Sequence, residues 1–163
     1  ASFRPSARAQ ALGAPVEVDV SKLEAGALLK VEWRGRPIYV LHRTERMLAQ
    51  LDKVAGDLAD PGSEDSTQPN YAQNEFRSIR PSFLVLEGVC THLGCVPQLR
   101  SAQQGAASVG ASWPGGFICP CHRSGFDYAG RVIRGPAPTD LPIPPHRYVS
   151  ATELVIGEDQ PVT

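Results

Sequence analysis

The sequence lacks any hydrophobic run long enough to cross a membrane. Its strongly apolar stretches, such as residues 83–86, fall far short of the roughly 18–20 residues required, and no signal-peptide pattern opens the chain. The chain also lacks an excess of one charge, since 16 Lys and Arg oppose 17 Asp and Glu and leave a net charge of −1. Because the sequence contains no basic stripe either, it excludes nucleic-acid binding.

Low-complexity sequence is largely absent too. The 15 Gly and 15 Pro exceed the usual share but stay below the level of disordered chains, so the 163 residues are expected to form one loop-rich folded domain. Residues 1–15 are rich in Ala, Ser and Arg without a sustained period, which is typical of a linker. Residues 159–163 are expected to be a tail.

Six runs of residues have the composition of β-strands. Val16, Val18 and Val20 alternate with acidic residues, which is the two-residue period of a half-buried strand. Arg34-Gly35-Arg36 separates two further runs, and its glycine suits a tight hairpin turn. The two runs that this turn separates are residues 28–33 and 37–41. The remaining three of the six runs are residues 83–86, 148–149 and 153–156.

One segment has the period of an amphipathic helix instead. Its apolar side chains recur at spacings of four, three and four residues, at Met47, Leu51, Val54 and Leu58. Thr44 is a suitable N-cap, and the helix is expected to end near residues 61–62, where Gly follows Pro. Met47 is interpreted as a core-facing side chain rather than a ligand.

The order of these elements predicts an all-β fold with one short helix. Residues 16–87 and 143–158 are expected to form an antiparallel, sandwich-like base domain. Residues 88–142 are expected to form a small inserted subdomain, which holds all four cysteines, two of the four histidines and a Gly-, Ala- and Ser-rich segment at residues 105–116. Few apolar runs support this insert, so we expect something other than a hydrophobic core to stabilise it.

Two boxes of six residues in the insert could supply that stabilisation. Residues 90–95 are Cys-Thr-His-Leu-Gly-Cys, and residues 119–124 are Cys-Pro-Cys-His-Arg-Ser. The 26 residues between His92 of the first box and Cys119 of the second allow each box its own loop, so that two loops face each other across one metal centre. Thiolate and imidazole together select zinc or an iron–sulfur cluster and exclude calcium and magnesium. His42 and His146 stand alone and are interpreted as structural.

Two kinds of metal centre compete for these boxes. A structural zinc site takes four ligands, so six candidates leave two spare. A Rieske cluster takes two cysteines on one iron and two histidines on the other, and one Cys and one His from each box meet that requirement. We therefore favour a cluster with the four ligands Cys90, His92, Cys119 and His122. Cys95 and Cys121 then lie one on each loop, placed to form a disulfide, which implies an oxidising compartment.

The boxes, followed by Gly135-Pro136-Ala137-Pro138, resemble those of the Rieske iron–sulfur subunit of ubiquinol:cytochrome c oxidoreductase, the cytochrome bc complex. The resemblance extends to residues 6–24, the helix around Met47, residues 68–72 and the C-terminal strands. It implies a rubredoxin-like cluster-binding subdomain, one Rieske 2Fe-2S cluster per chain and a single N-terminal transmembrane helix that is missing from this sequence. Residues 6–14 then correspond to a flexible hinge.

The resemblance also implies a function and residue roles. The chain would oxidise quinol at cytochrome b and pass the electron to a c-type cytochrome, coupled to proton release. His122 would accept a hydrogen bond from quinol beside an exposed His92, and Leu93 would help to dock on cytochrome b. Pro136 would lie in a stiff loop over the cluster, and the Ser124 hydroxyl would donate to a cluster sulfur. The expected location is the periplasmic side of the bacterial inner membrane, or the intermembrane side in mitochondria.

Two residues depart from the family pattern. Arg123 replaces a glycine that is usual there, and Phe126 stands where many ubiquinol-oxidising relatives carry tyrosine. The alternative to a respiratory subunit is a stand-alone Rieske ferredoxin or oxygenase-type domain, and a zinc-stabilised binding module is a third reading. The pair Cys95 and Cys121 favours the subunit, because ferredoxin and oxygenase types commonly lack it.

Overall fold

The computed structural model describes residues 13–104, 110 and 113–161, and this part of the chain contains ten strands and one α-helix. The helix, α1, is Glu45–Lys53, and 3-10 turns lie at Ala55–Asp57, Asn70–Ala72 and Ala102–Gln104. The strands are β1 (Val16–Asp19), β2 (Leu28–Trp33), β3 (Arg36–His42), β4 (Phe83–Glu87), β5 (Gln98–Ser101), β6 (Gly115–Ile118), β7 (Gly125–Phe126), β8 (Val132–Arg134), β9 (His146–Tyr148) and β10 (Glu153–Ile156).

Parts of three predicted segments lie outside the described residues. They are residues 1–12 of the expected linker, residues 105–109 and 111–112 of the Gly-, Ala- and Ser-rich segment, and residues 162–163 of the tail. Within the described ranges, no helix combines the length and hydrophobicity needed to cross a membrane.

The strands form three antiparallel sheets, which confirms the predicted all-β class. One sheet has the order β1-β10-β9, and the second, here called the middle sheet, has the order β2-β3-β4. The third, the insert sheet, has the order β5-β6-β7-β8 and lies wholly within residues 98–134. The predicted division into base and inserted subdomain remains a prediction.

Strands β3 and β4 of the middle sheet are buried on both faces, while β2 is partly exposed. Successive side chains of a strand point to opposite faces, and β3 follows this rule. Ile38 and Val40 pack in a core with Val18 and Leu154 from the first sheet, which makes the base sandwich-like. Tyr39 and other side chains of the opposite face contribute to a second core.

That second core joins the middle sheet to the insert. Leu84 and Leu86 of β4 share it with Phe117 and Phe126 of the insert sheet, and all four side chains are fully buried. The expectation that the insert would lack hydrophobic support is therefore wrong. Sequence periodicity could not reveal this core, because its members come from short strands that are far apart in the chain.

The predicted hairpin forms with two residues in its turn. Arg34 and Gly35 have φ of 54° and 70°, the pair of positive values that a type I′ turn requires. β2 and β3 then pair from Trp33 with Arg36 to Leu28 with Leu41.

Helix α1 begins where it was predicted and ends earlier. The Thr44 hydroxyl accepts a hydrogen bond from the Met47 amide at 3.1 Å and caps the helix. Met47 packs against the second core, as expected. The helix ends at Lys53 because Gly56 and Asp57 have low helix propensity, and a 3-10 turn follows. Leu58 is still buried, which explains why the apolar period overestimated the helix.

Of the two closing strands, β10 lies where it was predicted and β9 is displaced slightly. β9 covers His146–Tyr148 instead of residues 148–149, and Val149 is exposed at the turn into β10. The turn is fixed by the Ser150 hydroxyl, which accepts hydrogen bonds from the amides of Thr152 and Glu153.

Candidate metal centre

The two boxes form two turns with the same backbone hydrogen bonds. In the first turn (residues 90–95), the Cys90 amide donates to the Cys95 carbonyl at 2.6 Å and the Gly94 amide to the Cys90 carbonyl at 2.9 Å. In the second turn (residues 119–124), the Cys119 amide donates to the Ser124 carbonyl at 2.9 Å and the Arg123 amide to the Cys119 carbonyl at 2.8 Å. Each turn therefore presents its first cysteine in the same local setting.

These first cysteines are the two free thiols of the described residues. Cys90 and Cys119 are each 2% exposed and belong to the second core. Burial raises the pKa of the Cys90 thiol, and the neighbouring Cys119 thiol acts in the same direction. The His92 amide and the Ser124 hydroxyl oppose this rise in pKa, because they donate hydrogen bonds that favour a thiolate. Two facing thiols next to such donors match the cysteine ligands of one iron.

The two imidazoles lie further out and face each other. The ring centroids of His92 and His122 are 4.7 Å apart, with the ring planes at 86°. His122 is exposed and His92 is half-buried, and the buried Nδ1 atom of His92 has no hydrogen-bond partner. A buried ring nitrogen without a partner is unusual in a folded protein, and it is what a metal ligand provides. The donor set therefore fits a Rieske cluster, with two thiols inside and two imidazoles outside.

A disulfide joins the two turns, as the sequence predicted. It links Cys95 to Cys121, which are 26 residues apart in the chain. Because Cys95 ends the first turn and Cys121 lies inside the second, the bond holds the two candidate ligand sets together.

The proline loop (residues 135–138) is tied to the second turn. The Ala137 amide donates to the Ser124 hydroxyl oxygen at 2.9 Å, and both residues are buried. Because this oxygen accepts from the amide, its own proton remains available for a sulfur atom near Cys90. Pro136 is exposed at the outside of the loop.

The first turn is tied to the end of the same loop. The Thr91 hydroxyl donates to the Thr139 carbonyl at 2.7 Å. Together, the hydrogen bonds from Thr91 and to Ser124 place the proline loop beside both turns. The sequence boxes contain Thr91, but no pattern indicated its partner.

A buried ion pair that sequence reasoning missed anchors the end of this loop. Asp140 accepts hydrogen bonds from the Val132 amide and the Ser63 hydroxyl, each at 2.8 Å. Its other neighbour is Arg77, whose Nε atom lies 3.9 Å from a carboxylate oxygen of Asp140 and whose side chain is fully buried. Burial lowers the pKa of Arg77 to about 10, although Asp140 opposes this effect. Arg77 also donates to the Leu141 carbonyl at 2.8 Å, so it fixes the chain just after the proline loop.

Leu93 projects at the tip of the first turn. It is 66% exposed, more than Val96 or Val149, the other large apolar side chains exposed in the described residues. An apolar side chain at this position, next to two imidazoles, suits a docking contact.

The two aromatic residues after the second turn belong to the same core. Phe126 is fully buried in it, together with Cys90 and Cys119. Tyr128 is also buried there, and its hydroxyl donates to the Arg100 carbonyl on β5 at 3.4 Å. The Tyr128 hydroxyl therefore has a partner on β5.

His42 and His146 have structural contacts elsewhere, which agrees with the interpretation of them as structural. His42 Nδ1 lies 2.7 Å from the Leu23 carbonyl oxygen, and its ring stacks on Phe83. His146 is 1% exposed, and its Nδ1 lies 2.8 Å from the Pro144 carbonyl oxygen.

Within the described ranges, no three His, Cys, Asp or Glu side chains converge in a way that could hold a single metal ion. A Rieske cluster does not require such a group, because each of its irons takes only two ligands from the protein.

Comparisons with known proteins identify the family of this chain. The profile of the Rieske [2Fe-2S] domain matches residues 15–145. The chain is 55% identical over 161 residues to the ubiquinol-cytochrome c reductase iron-sulfur subunit of Allochromatium vinosum, a match that covers 98% of this chain and 77% of the relative. The subunit of the same name from Bradyrhizobium diazoefficiens is 40% identical over 156 residues, which cover 95% of this chain and 78% of that protein.

Two solved structures resemble the fold. A chain of a hyperthermophilic respiratory Complex III has a TM-score of 0.54 and 26% identity, and the match covers 93% of this chain and 80% of that one. A cyanobacterial plasma membrane Rieske protein from Synechocystis has a TM-score of 0.50 and 22% identity, over 86% of this chain and 97% of that one. At that identity, the second likeness supports the fold alone.

Proposed function

This chain belongs to the family of Rieske 2Fe-2S domains, and from that premise we propose that it is the electron-transfer subunit of a ubiquinol:cytochrome c oxidoreductase. The observation that carries the proposal is the pairing of two buried free thiols with two outward imidazoles on matched turns. The identity of 55% to a ubiquinol-cytochrome c reductase iron-sulfur subunit supports the same assignment.

The four ligands divide by depth in the fold. Cys90 and Cys119 are buried and would hold the inner iron, while His92 and His122 would hold the outer one. A bound cluster would supply a one-electron couple, whose potential is raised by histidine ligation relative to an all-cysteine cluster. The protein holds the cysteine side away from water and leaves an imidazole edge at the surface, where a proton and an electron can leave the same substrate.

The remaining site residues would position and cover this centre. The Ser124 hydroxyl, held by the Ala137 amide, would donate to a sulfur atom beside Cys90. Pro136 would lie in a loop that limits access of water, and the exposed Leu93 would contact cytochrome b. Quinol would then meet His122, the more exposed of the two imidazoles.

The partners and the location follow from the same proposal. Cytochrome b would bind the tip during quinol oxidation, and a c-type cytochrome would receive the electron. A disulfide between Cys95 and Cys121 suits an oxidising compartment, which supports the periplasmic side of a bacterial inner membrane. Attachment to the membrane through an N-terminal helix is part of this proposal.

The test uses the protein assembled in its membrane complex. Ubiquinol should reduce the cluster, seen by electron paramagnetic resonance, and then a c-type cytochrome, seen by visible absorption. His122→Ala should abolish both signals, while Thr67→Ala, at an exposed site on the polar segment between α1 and β4, should retain them.

Two results would contradict the proposal. The first is reduction of the cluster by a ferredoxin reductase but not by quinol. This result would indicate the stand-alone ferredoxin or oxygenase-type alternative. A purified protein that contains zinc and no iron would indicate a zinc-stabilised module instead.

A further inference from the structure

Arg123 introduces a charge where the two turns otherwise have none. Among the twelve residues at positions 90–95 and 119–124, it is the one Lys, Arg, Asp or Glu. It follows His122 directly in the chain, so its Cα lies about 3.8 Å from that of a proposed iron ligand.

The backbone of Arg123 is fixed against the second turn. Its amide donates to the Cys119 carbonyl at 2.8 Å, and its φ is 59°. Few non-glycine residues adopt this left-handed conformation. The hydrogen bond therefore keeps the origin of the side chain next to two of the four proposed ligands, Cys119 and His122.

The charge of Arg123 is not neutralised by the protein. Its side chain is exposed, and no described carboxylate lies within 4.0 Å of it, whereas Arg36, Arg77, Arg131 and Arg147 each form an ion pair. Guanidinium groups remain protonated in proteins, so the turn carries a lasting positive charge.

We propose that Arg123 tunes the centre electrostatically and raises the reduction potential of a cluster bound by the two turns. The inference rests on the proposed function. In this step one electron enters the site from an external reductant, no atom is transferred, and the site becomes more negative by one charge. A fixed positive charge nearby stabilises the more negative state and therefore favours reduction.

The size of the effect follows from the distance. At a separation on the order of 10 Å and at salt low enough for screening to be negligible, a unit charge changes the equilibrium constant of reduction about twofold in the dielectric of water. A twofold change is about 18 mV for a one-electron couple. A lower local dielectric increases the shift, and added salt decreases it.

The experiment is a redox titration of the purified, cluster-loaded protein, monitored by circular dichroism, at low and high salt. Arg123→Gln removes the charge and keeps a Cβ atom, Arg123→Lys keeps the charge, and Arg123→Gly restores the usual family residue. Arg34→Gln is the matched control, because Arg34 is also an exposed arginine with a left-handed backbone, φ 54°, but lies in the β2–β3 hairpin.

We expect Arg123→Gln and Arg123→Gly to lower the equilibrium constant of reduction at least twofold at low salt, and by less at high salt. Arg123→Lys and Arg34→Gln should leave it close to the original value. Equal potentials for the original protein and Arg123→Gln at low salt would overturn the inference, as would an equal shift from Arg34→Gln. Iron content and the electron paramagnetic resonance signal of each variant test the proposed cluster separately, so its failure is distinguishable from failure of the charge effect.

Discussion

Gly94 and Arg123 occupy the same position in the two ligand-bearing turns. Each lies four residues after the first cysteine of its turn, each donates its amide to that cysteine's carbonyl, and each is left-handed, with φ of 77° and 59°. The turn therefore requires this backbone conformation at both positions. Glycine adopts it without strain, whereas arginine adopts it at a cost in conformational energy.

The first prediction tests that cost. Arg123→Gly should raise the free energy of unfolding by about 0.5–1 kcal/mol, because relief of left-handed strain exceeds the added entropy of the unfolded chain. Gly94→Ala should lower it by about 1–2 kcal/mol. The Cβ atom in Gly94→Ala would have its nearest neighbour at 3.9 Å, so the loss would come from the backbone and not from a clash.

Urea unfolding of the cluster-free protein measures both changes in stability. Arg34→Gly, in the hairpin turn, is the control and should stabilise by less, because it relieves the same strain but also removes the contact of the Arg34 guanidinium with the Trp33 ring. If Arg123→Gly destabilised the protein while Arg34→Gly stabilised it, the arginine side chain would have to make a stabilising contact that outweighs the strain.

The second prediction separates ligands from structural cysteines. Cys90→Ala, Cys119→Ala, His92→Ala and His122→Ala should each abolish the 2Fe-2S signal, because each removes a ligand. Cys121→Ala should still allow the cluster to assemble, at lower stability. Electron paramagnetic resonance of the dithionite-reduced protein, with iron and sulfide counts, provides the measurement. A cluster that survives Cys119→Ala and is lost in Cys121→Ala would reverse the assignment.

The third prediction concerns the disulfide. Replacing both Cys95 and Cys121 by Ala should lower the free energy of unfolding by about 3 kcal/mol, as expected for a bond that closes a loop of this length. The two residues are 26 positions apart in the chain. A reductant should lower the stability of the original protein to the level of the double variant and leave the variant unchanged. A double variant as stable as the oxidised protein would mean that hydrogen bonds alone hold the turns together.

The sequence predicted the chemistry of the site more completely than its framework. Two short boxes were enough to predict the disulfide and to bring four candidate ligands together, because their residue types and spacing are specific. Arg77 and Asp140 could not be paired in advance, since they are 63 positions apart and belong to no motif. The second core escaped prediction for a similar reason, because strands of two to five residues carry too short a period to show which faces meet.

The fourth prediction concerns His146, the first residue of β9, whose ring packs edge-on against that of Tyr71. Burial lowers its pKa below the ordinary 6.5, while Asp159 acts in the opposite direction. Its buried Nε2 has no hydrogen-bond partner that would stabilise the protonated ring. Below about pH 6.5 the unfolded chain therefore binds more protons at this residue than the folded protein does. Stability should fall as the pH decreases from that value towards the lowered pKa.

His146→Gln should remove this part of the pH dependence. His42→Gln, at a half-buried histidine in the middle sheet, is the control and should retain it. Urea unfolding between pH 7.5 and pH 5 would be compared for the two cluster-free variants, so that protonation of the candidate ligands affects both equally. Identical pH profiles for the two variants would contradict the prediction.

The last prediction concerns Phe126, the second departure from the family pattern. Its ring is fully buried in the core that contains Cys90, and the correspondence with the family tyrosine predicts that a hydroxyl added to this ring would reach a sulfur ligand. A hydroxyl that donates to a sulfur ligand stabilises the reduced state more than the oxidised one, because reduction adds a negative charge. With a difference of about 1 kcal/mol, Phe126→Tyr should raise the potential by roughly 40 mV.

Tyr128→Phe should leave the potential unchanged, because the Tyr128 hydroxyl donates to the Arg100 carbonyl instead. If Phe126→Tyr left the potential unchanged and Tyr128→Phe lowered it in a redox titration, Tyr128 would be the donor and the correspondence of Phe126 with the family tyrosine would be wrong.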